Sequence, residues 1–279
     1  MWFSADNMVL TAAQASCVAL PAAGLPAWAA RFRTGAWAFV LPLSIALVVA
    51  AIAAIPGTAT ALSWTALLLV PAGCALALGW AARGARRGLA PLAVPLLALA
   101  WAVPDTRVGQ MATIVLIAGS AVTLGRLLAG LAPLTLLKAG VVAMAAVDAF
   151  LVFSGRLQAP NAVLVAASPG AGLPQLQSAA FGTAGLGYGD FFAAAVVGAI
   201  LAAEGRAQVA AAVATVLVSL AWDQLFVVYD VLPATIPPAV VLLGMEAWRR
   251  GSSRRAARPA AGAAAPRRRS GPRWTGGTA

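Results

Sequence analysis

Histidine is absent from the 279 residues. Without an imidazole the chain builds no HExxH zinc site, no Ser-His dyad of the rhomboid kind and no histidine-carboxylate metal cluster, which removes several classes of membrane enzyme. Cysteine is almost as scarce. Cys17 and Cys74 are too few for a structural zinc or an iron–sulfur cluster, and each sits in an apolar run, as a small buried residue does. No metal and no cofactor is expected. Charge is scarce too, at 10% of residues, where a soluble domain carries roughly 25%. Lysine occurs once, at Lys138, so the net charge of +11 is almost wholly arginine. That bias, with the alanine excess, suggests a GC-rich bacterial genome.

What fills the chain instead is hydrocarbon: 62% of residues are hydrophobic and the mean hydropathy is +0.89. A helix needs about 20 mostly apolar residues to cross a bilayer, because each backbone amide must be satisfied within the segment. Nine such segments are read, at about 8–30, 36–55, 59–81, 89–104, 109–131, 133–154, 180–203, 208–229 and 231–248. None alternates as a membrane barrel strand does. The expected fold class is therefore an all-α membrane protein, a polytopic bundle of about nine transmembrane helices. The first segment is read as a retained anchor rather than a cleaved signal, since Asp6 stands where a basic leader belongs.

Arginines set the orientation. With the C-terminus in the cytoplasm, every second connection carries its basic residues: Arg31 and Arg33; Arg83, Arg86 and Arg87; Arg126 with Lys138; Arg206. Arg126 and Lys138 are expected to snorkel to that surface. The tail, 249–279, holds nine arginines among Ala, Gly, Pro and Ser. It is expected to be disordered and to lie on anionic headgroups rather than bind nucleic acid. The expected setting is a bacterial plasma membrane.

Carboxylates near the middle of a bilayer are costly and mark function by default. Of the eight acids, Asp6, Asp105, Glu204, Asp230 and Glu246 lie at segment ends. Asp148, Asp190 and Asp223 do not. Asp148 lies about six residues before the end of its segment, roughly 9 Å below the surface at 1.5 Å per residue. Asp190 runs back inwards on the next segment and reaches the same depth if its helix becomes regular near Ala184. Two adjacent carboxylates share a proton, and the ionised one activates a water for attack on a peptide carbonyl. The chemistry needs neither metal nor histidine. Gly185, Gly187 and Gly189 would let backbones approach closely, or would present bare backbone to an extended substrate. Asp223 is expected to reach water or pair with Arg156.

VDAFLVFSG, then GLGYGDFFAAAVVGAIL, then VLPATIPPAVVLL resemble the YD, GxGD and PAL motifs of the presenilin and signal peptide peptidase family of intramembrane aspartyl proteases. The resemblance spans roughly 133–248. It implies a nine-span fold with catalytic aspartates at Asp148 and Asp190, an active-site motif of Gly187, Tyr188 and Gly189, and a substrate-binding element at Pro233, Ala234 and Thr235 that breaks the last span. It further implies a division into spans one to five (1–132), catalytic spans six to nine (133–248) and the tail (249–279). Substrates would be transmembrane segments or signal peptides. Val147 replaces the tyrosine of YD, and Thr235 the leucine of PAL. Two other functions use the same acids: a prepilin-peptidase-like protease, whose GxGD normally continues to a basic residue where this chain has Phe191-Phe192, and a proton-coupled transporter.

Overall fold

The computed structural model describes residues 5–170 and 172–256, of which 252–256 in backbone only. The described chain is mostly helical: α1 (Ala5–Ala19), α2 (Val40–Ala54), α3 (Thr58–Leu76), α4 (Ala93–Ala102), α5 (Arg107–Leu131), α6 (Leu134–Phe153), α7 (Gln158–Ala166), α8 (Tyr188–Ala203), α9 (Gln208–Trp222) and α10 (Ile236–Ala256). One antiparallel hairpin, β1 (Ser178–Phe181) and β2 (Ala184–Gly187), interrupts the run just before α8. A helix lies in each of the nine expected segments. Among the described residues, five stretches are long and apolar enough to cross a membrane: Gly35–Ala54, Thr58–Ala81, Arg107–Leu131, Leu134–Phe153 and Gln208–Val227. The molecule is thus a helical protein with several membrane-spanning candidates.

Among the described residues, those up to Leu243 form one compact unit, and 244–256 belong to a second. The expected start of the disordered tail at Arg249 is corrected by α10, which stays helical to Ala256. Residues 257–279 lie outside the described residues. Within the second unit, Arg249 pairs with Glu246 at 3.0 Å, one helical turn apart.

The core sits on α8, α5 and α1. In α8, every residue from Phe191 to Leu201 is buried, the mark of a helix enclosed on all sides by protein. In α5, 61% of the most apolar stretch is buried, against 11% in Gly35–Ala54. The first therefore packs at the centre, and the second turns most of its hydrocarbon outward, as a lipid-facing helix does. Small residues permit this crowding. A Cβ on Gly198 would lie 2.3 Å from the carbonyl oxygen of Val18, and one on Gly125 2.7 Å from backbone atoms of Ala195. Backbone cannot yield as a side-chain tip can. Gly198→Ala is expected to push α8 off α1 and to cost about 1–3 kcal/mol, as overpacking does. Thermal unfolding in detergent measures it, with Gly88→Ala as the reference, since a methyl there would meet nothing within 4 Å.

Polar ties replace the expected snorkelling. Arg126 donates to the carbonyls of Ala23 (3.0 Å), Gly24 (2.9 Å) and Trp80, and its guanidinium lies 4.0 Å above the Trp80 ring. It joins α5 to the chain leaving α1 and to the end of the third expected segment. Lys138 bonds Glu204 at 2.5 Å, and Arg206 shares the same carboxylate at 3.2 Å. With side chains only 14–17% exposed, these three groups solvate one another.

Candidate active site

Three stretches far apart in sequence meet at Asp148. It is buried on α6, and Thr235 Oγ1 donates to its Oδ2 at 2.6 Å across 87 residues of chain. Asp190 stands in the first turn of α8, which packs against α6. The helices that carry the two acids singled out in the sequence are thus neighbours, and the residue at the third motif is bonded to Asp148. Thr235 is therefore more than a replacement for leucine: a hydroxyl at that position reaches the carboxylate where an isobutyl group cannot.

The route by which Asp190 arrives differs from expectation. Its helix does not begin near Ala184. Residues 184–187 are extended, paired Phe181↔Ala184 through Ser178↔Gly187, and α8 starts at Tyr188. Asp190 is consequently the third residue of the helix. Its Oδ2 accepts the backbone N–H of Gly187 at 3.1 Å, capping an otherwise orphan helical donor. In the sequence, an apolar, glycine-punctuated stretch of this length reads equally as helix or strand.

The glycines of the motif also act differently from the close-packing reading. A Cβ on Gly189 would meet nothing within 4 Å, and one on Gly185 would be in ordinary contact at 3.9 Å. Close helix packing falls to Gly198 and Gly125 instead. In an antiparallel pair, alternate residues turn their backbone groups away from the partner. Because the N–H of Tyr188 bonds Gln177 O at 3.2 Å, the outward residues of β2 are Gly185 and Gly187. Gly187 spends its N–H on Asp190. Gly185 is exposed, on an edge that no other strand covers among the described residues.

The hairpin is held from its tip. Gly182, at φ +58°, makes the left-handed turn that glycine accepts most easily. Its N–H donates to Gln110 Oε1 at 3.0 Å. Asp6 accepts from Thr183 N at 3.1 Å and from Arg107 Nη1 at 2.6 Å, and Arg107 stacks 4.5 Å from the Phe181 ring. Asp6 is thus a clamp rather than a merely wet terminal acid. The Arg107 bond, then the Thr183 amide, holds its carboxyl below the ordinary value of 3.8. A lowered folded-state value means that the clamp is complete above the ordinary value and is lost only as pH falls through the lowered one. Asp6→Asn should therefore speed exchange of the Thr183 amide several-fold at pH 7, a difference that persists down to the ordinary carboxylate value and shrinks only as pH falls through the lowered one, read by hydrogen exchange.

Other members of the site were not visible among the acids. Gln14, buried on α1, donates through Nε2 to Ala234 O at 2.9 Å and to Asp190 O at 3.3 Å, holding the start of α8 beside the segment before α10. A lone amide inside AAQAS was its only signal. Tyr188 OH bonds Ser120 Oγ at 2.9 Å, tying the motif to α5. Pro233, Ala234 and Thr235 precede α10 instead of breaking it: the helix starts at Ile236, and Pro237 and Pro238 fall in its first turn, where proline's missing N–H costs nothing. The connection between the two aspartate helices contains α7 and the hairpin, neither of which was anticipated. Asp223 bonds Asn7 Nδ2 at 2.7 Å, while Arg156 lies over the Phe150 ring, so the expected Asp223–Arg156 pair is replaced.

No group of three or more His, Cys, Asp or Glu residues suited to a metal occurs among the described residues. Compared with known proteins, the chain matches no family model, no curated protein and no solved structure.

Proposed function

We infer that this protein is an intramembrane aspartyl endopeptidase that cuts transmembrane segments or signal peptides with water activated between Asp148 and Asp190. The observation that carries the reading is the setting of Asp148: the helix bearing Asp190 packs against its own helix, and Thr235 donates to it at 2.6 Å. Two neighbouring carboxylates hold one proton between them. The ionised one takes a proton from water as the water oxygen bonds to the peptide carbonyl carbon, and the protonated one gives its proton to the carbonyl oxygen. Collapse of the tetrahedral intermediate breaks the C–N bond, and the amine leaves with a proton returned by the pair.

A helical substrate hides its carbonyls in hydrogen bonds, so it must be unwound first. The uncovered edge of β2, with Gly185 offering backbone and no side chain, supports docking of an extended strand a few residues from Asp190. The Phe191-Phe192 that follow the motif are buried, which favours this reading over a prepilin-peptidase type, where a basic residue is usual.

The test is incubation of the purified chain in detergent with a panel of single-span peptides, read by mass spectrometry. Cleavage within the apolar stretch of at least one peptide is expected. Failure to cut any peptide, joined to proton flux in liposomes that Asp148→Asn and Asp190→Asn both remove, would replace this reading with the transporter.

A further inference from the structure

Two carboxylates that act on one water must be held at a fixed spacing, yet Asp148 and Asp190 stand on separate helices. A chain of hydrogen bonds joins them, and it runs through α1. Gln14, only 3% exposed, carries two N–H groups on one nitrogen. That nitrogen bonds the carbonyl of Asp190 at 3.3 Å and the carbonyl of Ala234 at 2.9 Å. Ala234 is followed directly by Thr235, whose hydroxyl donates to Asp148 at 2.6 Å. The path Asp190–Gln14–Ala234–Thr235–Asp148 therefore links α8, α1, the segment before α10 and α6.

The sequence explains why Ala234 takes a side-chain donor. Its carbonyl would ordinarily meet the N–H of residue 237 or 238 as a helix opens, and both are proline, which has none. No backbone amide bonds it among the described residues. Gln14 supplies from α1 the donor that the backbone lacks. The same two carbonyls fix which way the amide points, because turned over it would set its oxygen against both acceptors.

We propose that Gln14 is a positioning residue for the two aspartates: by bonding Asp190 and Ala234 together it sets where Thr235 stands relative to α8, and through Thr235 the placement of the Asp148 carboxylate. The inference rests on the protease reading, and its test separates the two. Gln14→Met keeps the length of the side chain and removes both donors. On a cleaved peptide it should lower kcat about 10- to 100-fold, the effect of a misplacement of about 1 Å, with KM within about threefold. Gln208→Met is the control. Gln208 is also a buried amide, and its Nε2 bonds the carbonyls of Val18, Pro21 and Gly198 at 2.9–3.3 Å. It grips the same two helices, but Gly198 lies about 12 Å along α8 from Asp190 at 1.5 Å per residue. Gln208→Met should lose at least as much thermal stability as Gln14→Met while keeping kcat within about threefold of native.

A double-mutant cycle gives a second readout. Because Gln14 acts partly through the Thr235 hydroxyl, the kcat loss from Gln14→Met should shrink at least about threefold when Thr235→Val is already present. Gln14→Asn, which keeps an amide but draws it back by one methylene, carries the same kcat prediction where size exclusion shows that Gln14→Met does not fold. Native kcat in the folded Gln14 variant, with or without a rise in KM, overturns the positioning role. An equal kcat loss in Gln208→Met, or losses that multiply in full in the double variant, overturn it as well, and all three leave the protease reading in place. A native chain that cuts no peptide removes that reading and the role of Gln14 with it.

Discussion

Asp148→Asn and Asp190→Asn should each lower cleavage of a single-span peptide by at least about 10³-fold while the folded protein survives. The size of the loss follows from what an amide cannot do. Asparagine keeps the shape of the carboxylate but neither removes a proton from water nor passes one to a carbonyl, and general acid–base work of this kind contributes about 10²–10⁴-fold for each partner. Effects within a unit that shares one proton are not additive, so the double variant should be scarcely worse than either single one. Stability should move less than activity. In Asp190→Asn the side-chain amide still presents an oxygen to the Gly187 N–H, preserving the cap, and in Asp148→Asn it still presents one to the Thr235 hydroxyl. The measurement is initial rate by mass spectrometry with thermal unfolding in parallel. Cleavage at the native rate by either variant would sink the dyad.

The second large effect belongs to Thr235. Thr235→Val keeps the volume and the backbone N–H that also bonds Asp148, and removes the hydroxyl that donates to the buried carboxylate at 2.6 Å. Loss of a hydrogen bond to a buried charged group costs about 2–4 kcal/mol, so kcat should fall roughly 30- to 1000-fold. Thr235→Ser, which restores the donor, should recover most of it. Recovery separates a positioning role from mere packing. Thr235→Leu, which installs the residue usual in the PAL motif, should resemble Thr235→Val, and equal activity of the leucine and threonine forms would show that the bond to Asp148 does nothing for the reaction. The pH profile is a second readout, because a donor fixed on one oxygen of the pair biases how the two carboxyls share their proton, and its removal should shift the acid limb.

Composition and motif order were enough to place Asp148, Asp190 and Thr235 as candidates. They did so because apolar runs are long, the acids within them are few, and each is conspicuous against alanine and valine. Asp6, Asp223, Arg126 and Gln14 were harder. Their sequence context describes depth in a segment, whereas their partners (Thr183, Asn7, the Trp80 carbonyl and Ala234) lie 46 to 220 residues away. Side-chain hydrogen bonds of that span carry no local periodicity.

The stretch around the motif marks the boundary between the two kinds of information. Sequence alone determined that the chain is mostly helical, with several segments long and apolar enough to cross a membrane, and that an apolar helix follows Asp190, since hydrocarbon content and helical length are local properties of the chain. Tertiary structure decided that residues 178–187 form a hairpin, that close packing falls to glycines outside the motif, Gly198 and Gly125 among them, and that α8 begins at Tyr188. Those outcomes depend on which backbones face each other. Alanine, glycine and leucine fit a strand or a helix about equally well in isolation, so the choice fell to the neighbours: Asp6, Gln110 and Arg107 gripping the turn, and Val18 leaving no room for a side chain on α8.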